Sequence, residues 1–565
     1  MLSSYQEGLS QAIGILRLLI VLGVCTWILG RIITRYLISN GDLPTSLAFA
    51  VYFGIVIFSF ISLVAGLVKI HLGIPYIVVF IPLFVIIILI IYCFSFFKTK
   101  TNTINASISL IPLLLFAFLG FQVFLRLRFA SQLLLPPYSD SPEHYSIIHA
   151  FLSDQTALPI HLRRYYHLGF HSLTAGIALI SNLNLIGLLK TLPQIIVAMV
   201  PLVVFVFVKH FSGSEIAAMF SAFFSGMGWL MPGYAINWGK YPAILGLVLS
   251  PMLVVLWRQE TKTLNPAFRH IIIVLLWLIN GTFHTRTLIS SLFLGMSVLV
   301  VEIFPLRFQT ITTAILVLGG LASGIASGIL DKYYNYTSVL LLAFLPLAFW
   351  INQTLTRSML IYASSLTLME RVPLPEIVHP YSFVLLDRPF VEISLFFPFS
   401  IILGLGVSGL ISVKRWHSFL RWLVAILSIT IVFLQGLRPE YTQPSPCCNF
   451  VVEDDLYVLD WAGRNIPSKS IVLIASMSAP NRLVGTDAGM WLEPLFNTNV
   501  LRVPYNTDWS STGLPADICH RFGSAYIYLG SSKYSFNAQI IRQSGYFEPV
   551  FVLPQASLYR ITCSP

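Results

Sequence analysis

The residues best suited to chemistry lie in one polar stretch, Pro136–His171, which interrupts a very apolar sequence. It opens with two carboxylates three residues apart, Asp140 and Glu143, and residues at that spacing share one face of a helix. A carboxylate held at a membrane surface could act as a general base or as a ligand of a divalent cation. A structural interpretation competes with this one, because Asp140 or Ser141 could cap a helix that starts at Pro142.

The rest of this stretch is rich in histidine and arginine. Just after the carboxylates, His144 and His149 are five residues apart, which is a poor spacing for two zinc ligands on one helix face. Further on comes a cluster of four basic side chains: Arg163, Arg164, His167 and His171. Such a cluster suits a phosphate or pyrophosphate group. Binding of a surface helix to anionic lipid headgroups explains it equally well.

Other polar breaks between apolar runs contribute candidate phosphate contacts. They are Lys240 in the hexapeptide Asn237–Pro242, the neighbours His284 and Arg286, and Arg388 beside Asp387. Ionisable residues this close to membrane segments are costly unless they are used. The simpler alternatives are an interfacial Lys240 that snorkels to the surface and a plain ion pair between Arg388 and Asp387.

The composition requires a membrane. Of the 565 residues, 56% are hydrophobic and only 10% are charged, and the mean hydropathy is +0.81. Soluble domains have about 25% charged residues, so lipid must be the solvent for most of this chain. The net charge of +11 comes from scattered residues rather than from a dense basic stripe, which excludes a nucleic-acid partner. Walker, G-x-S-x-G and H-E-x-x-H motifs are absent, so ATP-driven and serine-hydrolase functions have no support.

Apolar runs long enough to cross a bilayer recur along the chain and predict a polytopic α-helical membrane protein with roughly 11–14 spans. The predicted organisation is N-terminal transmembrane helices over 1–130, a non-cytoplasmic loop with surface helices over 131–167, a transmembrane core over 168–351, a long non-cytoplasmic loop over 352–393, two last transmembrane helices over 394–437 and a small α/β domain over 438–565.

Basic loop residues orient these spans. Lys98–Lys100, Arg258–Arg269 and Lys414–Arg421 are the best candidates for cytoplasmic loops. This assignment puts Pro136–His171 and the C-terminal domain on the non-cytoplasmic side of the plasma (inner) membrane. Between Asp140 and Arg258 the runs are even in number where an odd number of crossings is needed, which predicts a re-entrant or surface-lying segment.

Soluble patterning begins after Arg438. A helix-like run, DDLYVLDWAGRNI, is followed by short β-rich runs, SIVLIAS, SAYIYLG, EPVFVLP and SLYRIT, and this alternation predicts a small α/β domain. Four of the six cysteines fall in this part: Cys447, Cys448, Cys519 and Cys563. The even count fits one or two disulfides in an oxidising compartment, and four free thiols are the alternative.

The pattern resembles the GT-C superfamily of integral-membrane glycosyltransferases, in its prokaryotic, polyprenyl-phosphate-sugar dependent form. The matching pieces are YSDSPEHYSIIHAFL, YYHLGFHSLTAGIAL, NWGKYPAILGLVLSP and FHTRTLISSL. Members have many spans, an acidic residue or pair in the first large non-cytoplasmic loop and often a soluble C-terminal domain. In that superfamily the acidic loop usually follows the first span, whereas additional spans precede it here.

The resemblance implies sugar transfer from a polyprenyl-phosphate-linked donor to a glycan, lipid or protein acceptor on the non-cytoplasmic face. Asp140, with Glu143 second, would act as a base on the acceptor hydroxyl or bind a divalent cation, Mg or Mn. The residues that would hold substrate and phosphate are His144, Arg163, Arg164, His167, His171, Lys240, His284, Arg286 and Arg388. The C-terminal domain would help to hold the acceptor.

Two other classes of function compete with this one. A transporter or flippase of a lipid-linked or polar solute predicts ionisable residues deep in the spans and a repeat between the two halves. No repeat is evident, and the charges cluster near the ends of apolar runs. A non-catalytic membrane scaffold that binds through its C-terminal domain is the third class.

Overall fold

The fold is a set of apolar helices combined with a small α/β domain. The computed structural model describes residues 42–96, 110–153, 167–259, 266–329, 333–334, 337–373, 384–412, 418–479, 482–510 and 513–564, with isolated positions between 14 and 34. The chain divides into two compact units. The first comprises Met1–Ala130, Ile148–Ile236 and Lys240–Gln443, and the second comprises Ser131–Ile147, Asn237–Gly239 and Pro444–Pro565. The acidic residues Asp140 and Glu143 therefore fold with the C-terminal domain.

The first unit is helical. Its helices are α1 Leu43–Leu72, α2 Tyr76–Phe96, α3 Leu110–Ser131, α4 Asp140–Leu152 (shared with the second unit), α5 Gly169–Ser181, α6 Leu185–Ala198, α7 Val200–Ser212, α8 Glu215–Met227, α9 Tyr241–Arg258, α10 Pro266–Phe283, α11 Thr285–Ile303, α12 Leu306–Ser327, α13 Thr337–Ile351, α14 Gln353–Met369, α15 Arg388–Ser394, α16 Phe396–Ser412, α17 Ser418–Gly436 and the single turn α18 Pro439–Thr442.

Local sequence signals determine where these helices begin and end. The side chain of Asp42 accepts a hydrogen bond of 3.0 Å from the N–H of Thr45, which caps the start of α1. The same helix ends at Gly73, whose φ of +69° is a conformation that suits glycine. Lys209, in the last turn of α7, pairs with both Asp42 and Glu215 at the starts of α1 and α8. Lys209 lies at the negative end of one helix dipole, and Asp42 and Glu215 lie at the positive ends of two others, so each charge is favourably placed.

Among the described residues, seven segments are long and apolar enough to cross a membrane: Leu43–Leu72, Leu110–Ser131, Leu185–Ser212, Tyr241–Arg258, Thr285–Ile303, Leu306–Ser327 and Arg388–Ser412. Six shorter apolar helices of 10–17 residues accompany them. This architecture is that of a polytopic helical protein and is compatible with the predicted multi-pass membrane protein.

The helices differ in how much of their apolar surface is covered by protein. Arg388–Ser412 is 100% buried over its most apolar window, whereas Leu306–Ser327 is only 17% buried. The large side chains of Ile315, Leu318 and Ile325 are among those exposed on the latter helix. Helix α12 is therefore peripheral and α16 central, and exposed apolar side chains in such numbers are compatible with contact to lipid.

Close approach between central helices depends on small residues. Helix α16 packs against α8 and α13. A Cβ atom at Gly404 would collide with Ser221 of α8, and one at Gly406 would lie 2.5 Å from the Cβ of Phe344 in α13. Small residues at such contacts are typical of helix pairs in membranes.

The structure corrects the expectation of a long loop over 352–393. The first half of this segment is the 17-residue helix α14, and a second helix, α15, begins near the end of the segment at Arg388. The hydroxyl and guanidinium groups of α14, such as those of Thr356 and Arg357, are buried against neighbouring helices. The charged residues that suggested a loop, from Glu370 to Arg388, follow this helix, whereas the polar side chains of α14 itself are mostly buried.

The second unit is built on a mixed sheet of six strands: β1 Ile471–Ala479, β2 Arg482–Gly485, β3 Asn499–Pro504, β4 Ala525–Leu529, β5 Phe547–Val552 and β6 Ser557–Ile561. Strand β1 pairs in parallel with β3 and β4 and antiparallel with β2, and β6 pairs antiparallel with β4 and β5. The helices are α19 Glu453–Asn465, α20 Leu492–Phe496, α21 Gly513–Phe522 and α22 Ala538–Gln543.

The predicted α/β domain is therefore present. The helix-like run is α19, and the four β-rich runs are β1, β4, β5 and β6, while β2 and β3 are additional strands. Register places Leu473 opposite Ile527 and Ile527 opposite Tyr559. Together with Trp509 and Phe547 these side chains form the buried core of the domain.

The four cysteines of this domain form two disulfides, an outcome that the sequence left open. Cys519 in α21 is bonded to Cys563 just after β6, and Cys447 is bonded to its neighbour Cys448. The first bond closes a loop with a sequence separation of 44 residues, whereas the second joins adjacent residues. The two bonds should consequently differ in how much they restrict the unfolded chain.

We expect the double substitution Cys519→Ala, Cys563→Ala to lower the free energy of unfolding of the C-terminal domain by about 4 kcal/mol, the chain-entropy value for a loop of this length. Thermal unfolding of the full-length protein measures the effect. The matched control is Cys447→Ala, Cys448→Ala, which removes a bond that closes almost no loop. Equal losses in the two variants would show that loop closure is not the cause.

Candidate functional site

Asp140 and Glu143 lie together in the first turn of α4, which begins at Asp140. Just before it, the N–H of Tyr138 donates to the carbonyl of Cys448 at 2.8 Å, and the N–H of Ser141 donates to the carbonyl of Tyr138 at 3.3 Å. This turn starts the helix two residues earlier than Pro142, where a start was expected. Asp140 is consequently a first-turn residue beside Glu143 rather than a cap in front of the helix.

A guanidinium group faces both carboxylates. Nη1 of Arg482 lies 2.8 Å and 3.0 Å from the two carboxylate oxygens of Glu143. Nη2 of the same side chain lies 3.9 Å from Oδ1 of Asp140. The exposed fractions of the side chains are 15% for Glu143, 17% for Asp140 and 42% for Arg482. The cation offsets the repulsion between two neighbouring carboxylates, and the cluster keeps access to solvent.

The position of Arg482 in the domain explains how it reaches the helix. It is the first residue of β2 and pairs with Ala479 at the tip of the β1–β2 hairpin. A sequence separation of 339 residues divides it from Glu143. A lone arginine after a short β-rich run carries no sequence signal of such a partner, so sequence reasoning missed it.

The tripeptide Asn237–Gly239 supports the acidic turn from another side. The carbonyl oxygen of Gly239 lies 2.8 Å from Nε2 of the buried His144. Gly239 has a φ of +64°, and a Cβ atom there would lie 3.0 Å from the Cβ of Asp140. Glycine therefore allows this close approach, as few other residues could. His144, a predicted phosphate contact, has a ring nitrogen occupied by this structural contact.

The opposite end of α4 is held within the first unit. Nζ of the buried Lys69, in α1, donates to the carbonyls of Ala150 and Phe151 at 3.0 Å each and also to that of Ser153. The last carbonyls of a helix lack partners within it and carry the negative end of its dipole. Lys69 satisfies both needs and so helps to position the helix that carries Asp140.

The predicted phosphate-binding residues are distributed differently from the carboxylates. Asp140, Glu143 and His144 belong to the second unit. Arg163 and Arg164 lie outside the described residues. The remaining six belong to the first unit: His167, His171, Lys240, His284, Arg286 and Arg388. Of these, His171 is buried in α5, and Lys240 directly precedes α9.

Two of the predicted histidines are in contact. The ring centroids of His167 and His284 are 4.3 Å apart, and the ring of His284 also stacks on Phe390 with a centroid distance of 5.6 Å. His284 directly precedes α11, and Phe390 lies in α15. This stack therefore brings together the start of α11, the start of α15 and His167, which lies two residues before α5.

The two predicted arginines of this region each pair with a carboxylate. Arg286 lies 3.1 Å from Asp387, and Nε of Arg388 lies 2.8 Å from Glu392. Arg388 also donates to the carbonyl of Gly328 at 3.2 Å. Arg388 therefore forms an ion pair, but with Glu392 rather than with Asp387, which pairs with Arg286.

The geometry of the acidic pair does not favour a divalent cation. Among the described residues, no three His, Cys, Asp or Glu side chains form a group that could hold a metal ion. Two carboxylates alone supply few of the oxygen ligands that Mg or Mn requires. The guanidinium of Arg482 lies against both of them and would repel a second cation. We therefore derive no chemical step through a metal.

A second pair of carboxylates, which sequence reasoning missed, is buried inside the C-terminal domain. Asp455 accepts hydrogen bonds from the hydroxyls of Tyr528 and Ser531, and Asp487 accepts one from Ser535 at 3.0 Å. Burial raises the pKa of Asp487 to about 8, with the nearby Asp455 acting in the same direction. Burial also raises the pKa of Asp455. These groups are enclosed by the fold and hold the loop that follows β4.

Comparison with known proteins adds no assignment. No family model matches the chain, and no curated protein is significantly similar to it. Any function must consequently be argued from the residues and their geometry.

We expect Glu143 and Arg482 to be energetically coupled. In a double-mutant cycle with Glu143→Gln and Arg482→Gln, the coupling free energy of unfolding should be about 1 kcal/mol, the upper end for a partly exposed pair. Denaturant unfolding of the full-length protein measures it. The exposed pair Asp460–Arg464 is the matched control, with an expected coupling of about 0.3 kcal/mol. Additive effects of Glu143→Gln and Arg482→Gln would contradict the pairing.

The raised pKa of Asp487 predicts a stability that falls as pH rises. The folded domain binds this proton more tightly than the unfolded chain, whose aspartates titrate near 4. The stabilising contribution is complete below about pH 4 and is lost progressively as pH rises through about 8. Asp487→Asn should reduce the loss of stability between pH 5 and 8.5 by on the order of 2–4 kcal/mol, since one pKa unit corresponds to about 1.4 kcal/mol. Thermal unfolding at both pH values measures it, and an unchanged pH dependence would exclude Asp487 as the cause.

Proposed function

We propose that the protein is an integral-membrane glycosyltransferase of the GT-C type. It would transfer a sugar from a polyprenyl-phosphate-linked donor to a glycan, lipid or protein acceptor. The observation that carries this proposal is the carboxylate pair in the first turn of α4, held by the guanidinium of Arg482. The apolar helices support it as well, because a polyprenyl chain needs a hydrocarbon environment.

In the proposed reaction, Asp140 accepts the proton of the acceptor hydroxyl while the acceptor oxygen bonds to the anomeric carbon of the sugar. The bond between that carbon and the phosphate oxygen breaks, and polyprenyl phosphate leaves with the electron pair. A carboxylate within hydrogen-bond reach suits the first task. Cations near the leaving phosphate suit the second.

The two carboxylates would have different roles. Glu143 engages Arg482 through both of its oxygens at 2.8 Å and 3.0 Å, and Nη2 of Arg482 lies 3.9 Å from Oδ1 of Asp140. Asp140 is the proposed base, as the resemblance to the GT-C superfamily implies, and Glu143 with Arg482 is the proposed positioning pair.

The resemblance implies Arg286 and Arg388 among the cations for the leaving phosphate. Each is already paired with a carboxylate, Asp387 or Glu392. A phosphate offers several acceptor oxygens to a guanidinium and could share or replace such a partner. His167 and His284, whose rings are in contact, belong to the same proposed group.

We place the reaction on the non-cytoplasmic face of the plasma membrane, with roughly 11–14 spans in the chain. The distribution of basic loop residues supports this orientation. The two disulfides of the C-terminal domain support it too, because such bonds persist in oxidising compartments.

Asp140→Asn should lower the rate of sugar transfer at least 100-fold, the usual contribution of a general base. Glu143→Gln should lower it less, by about tenfold, because it loosens the positioning pair without removing the base. The assay uses membranes containing each variant, supplied with radiolabelled polyprenyl-phosphate sugars, and measures label in the acceptor fraction. The control is Asp460→Asn, an exposed acidic residue of α19 outside the cluster.

Transfer by Asp140→Asn at the wild-type rate would rule out Asp140 as the base. If the wild-type protein carries label across the membrane without forming a glycoside, the protein is a transporter or flippase. If neither transfer nor movement of label occurs with any polyprenyl-phosphate sugar, the glycosyltransferase proposal fails.

A further inference from the structure

The C-terminal domain contains a hollow that the proposed reaction does not use. It has a volume of about 490 Å³ and lies where the chain leaves β4 at Gly530. Its wall includes Asn449, Phe450, Ser532, Lys533, Tyr534 and Arg542. Volumes of a few hundred Å³ are typical of small-ligand sites.

The loop that forms one wall of this hollow is fixed in place. The hydroxyl of Ser531 donates to Asp455 at 2.7 Å, and that of Ser535 donates to Asp487 at 3.0 Å. A Cβ atom at Gly530 would lie 3.0 Å from the Cβ of Asp487 and 3.4 Å from Oδ1 of Asp455. The buried carboxylates therefore hold this wall in a single arrangement, and a ligand would find it already formed.

The hollow lies beyond the carboxyl end of β4 and beside the start of β6. Leu529, the last residue of β4, and Gly530, which follows it, belong to its wall. Ser557, the first residue of β6, lines the same hollow.

The charge of the wall is one-sided. Lys533 and Arg542 both line the hollow, and among the described residues no Asp or Glu does. No carboxylate in the described ranges of the chain forms an ion pair with Lys533 or Arg542. Arg542 and Pro554 also line a neighbouring hollow of about 560 Å³. The first of these hollows, of about 490 Å³, is called the trough below.

The remaining groups suit a ligand rich in hydroxyls. Phe450 and Tyr534 line the hollow, with Nζ of Lys533 lying 4.8 Å from the ring centroid of Tyr534, and Ser532 and Asn449 contribute polar atoms. Oδ1 of Asn449 is buried and, among the described residues, receives no hydrogen bond. An acceptor without a donor is costly, and a ligand hydroxyl is a donor of the required kind. Aromatic faces combined with such polar atoms match the apolar faces and hydroxyl edges of sugar rings.

We infer that this trough, defined by Asn449, Phe450, Ser532–Tyr534 and Arg542, binds an anionic saccharide. The negative charge would come from a carboxylate or a phosphate group and would lie between Lys533 and Arg542. This binding requires no chemistry at Asp140, so it stands whether or not the protein transfers sugars.

The test is equilibrium binding to the purified full-length protein in detergent. The anionic probes are trigalacturonic acid, which carries carboxylates, and glucose 6-phosphate. The neutral probe is maltotriose, and inorganic phosphate tests for charge alone. At least one anionic saccharide should bind at least tenfold more tightly than maltotriose and inorganic phosphate, and the tighter of the two identifies the charged group.

Lys533→Ala, Arg542→Ala should weaken that binding at least tenfold. The matched control is Lys469→Ala, Arg521→Ala, which removes the same charge from exposed positions of this domain outside the trough. All four side chains are exposed, so both variants should fold, and unfolding temperatures check this. The inference is overturned if neither anionic saccharide binds, if maltotriose or inorganic phosphate binds as tightly, or if both double variants weaken binding equally.

Discussion

The candidate site depends on one guanidinium group that lies between two carboxylates. Asp140 and Glu143 occupy adjacent positions on the first turn of α4 and would repel each other if they were left alone. Arg482 compensates this repulsion from a hairpin that is encoded more than 300 residues later, at a separation of 339. The same contact explains why the acidic segment folds with the C-terminal domain, whereas the far end of its helix is held by Lys69 of the first unit. The helix that carries the proposed base is therefore a structural part of both units.

The helical unit uses its few charges in a similar way. Lys209 joins the starts of two helices, Arg286 pairs with Asp387, and Lys69 satisfies the end of α4. A charge near hydrocarbon is costly unless a partner compensates it. A chain with only 10% charged residues can place most of its ionic groups in such contacts. Catalytic or binding roles for these residues would be added to structural ones rather than replace them.

Composition and periodicity were sufficient to predict a polytopic helical protein with a small C-terminal sheet, because the apolar runs form helices and the alternation after Arg438 forms strands. They failed in the first half of 352–393, where α14 buries polar side chains such as that of Thr356. The sequence also identified Asp140 and Glu143 as a pair, because their spacing is local. Arg482 and Asp487 could not be found in this way, because their partners lie far away in the chain and their own neighbours in sequence carry no pattern. Spacing reveals contacts within one helix, whereas contacts between distant segments are a property of the folded chain.

The order of strands in the C-terminal domain also bears on how the protein is made. Strand β6 lies between β4 and β5, and β5 pairs with no strand other than β6 among the described residues. The sheet therefore stays incomplete until Ser557–Ile561 has been synthesised. During that interval β4 has an unpaired edge and the core residues of β5 are uncovered, which is a state prone to aggregation. The acidic turn of α4 is thus made long before its cation, at a separation of 339 residues, and the sheet that carries Arg482 is complete only once β6 has been added.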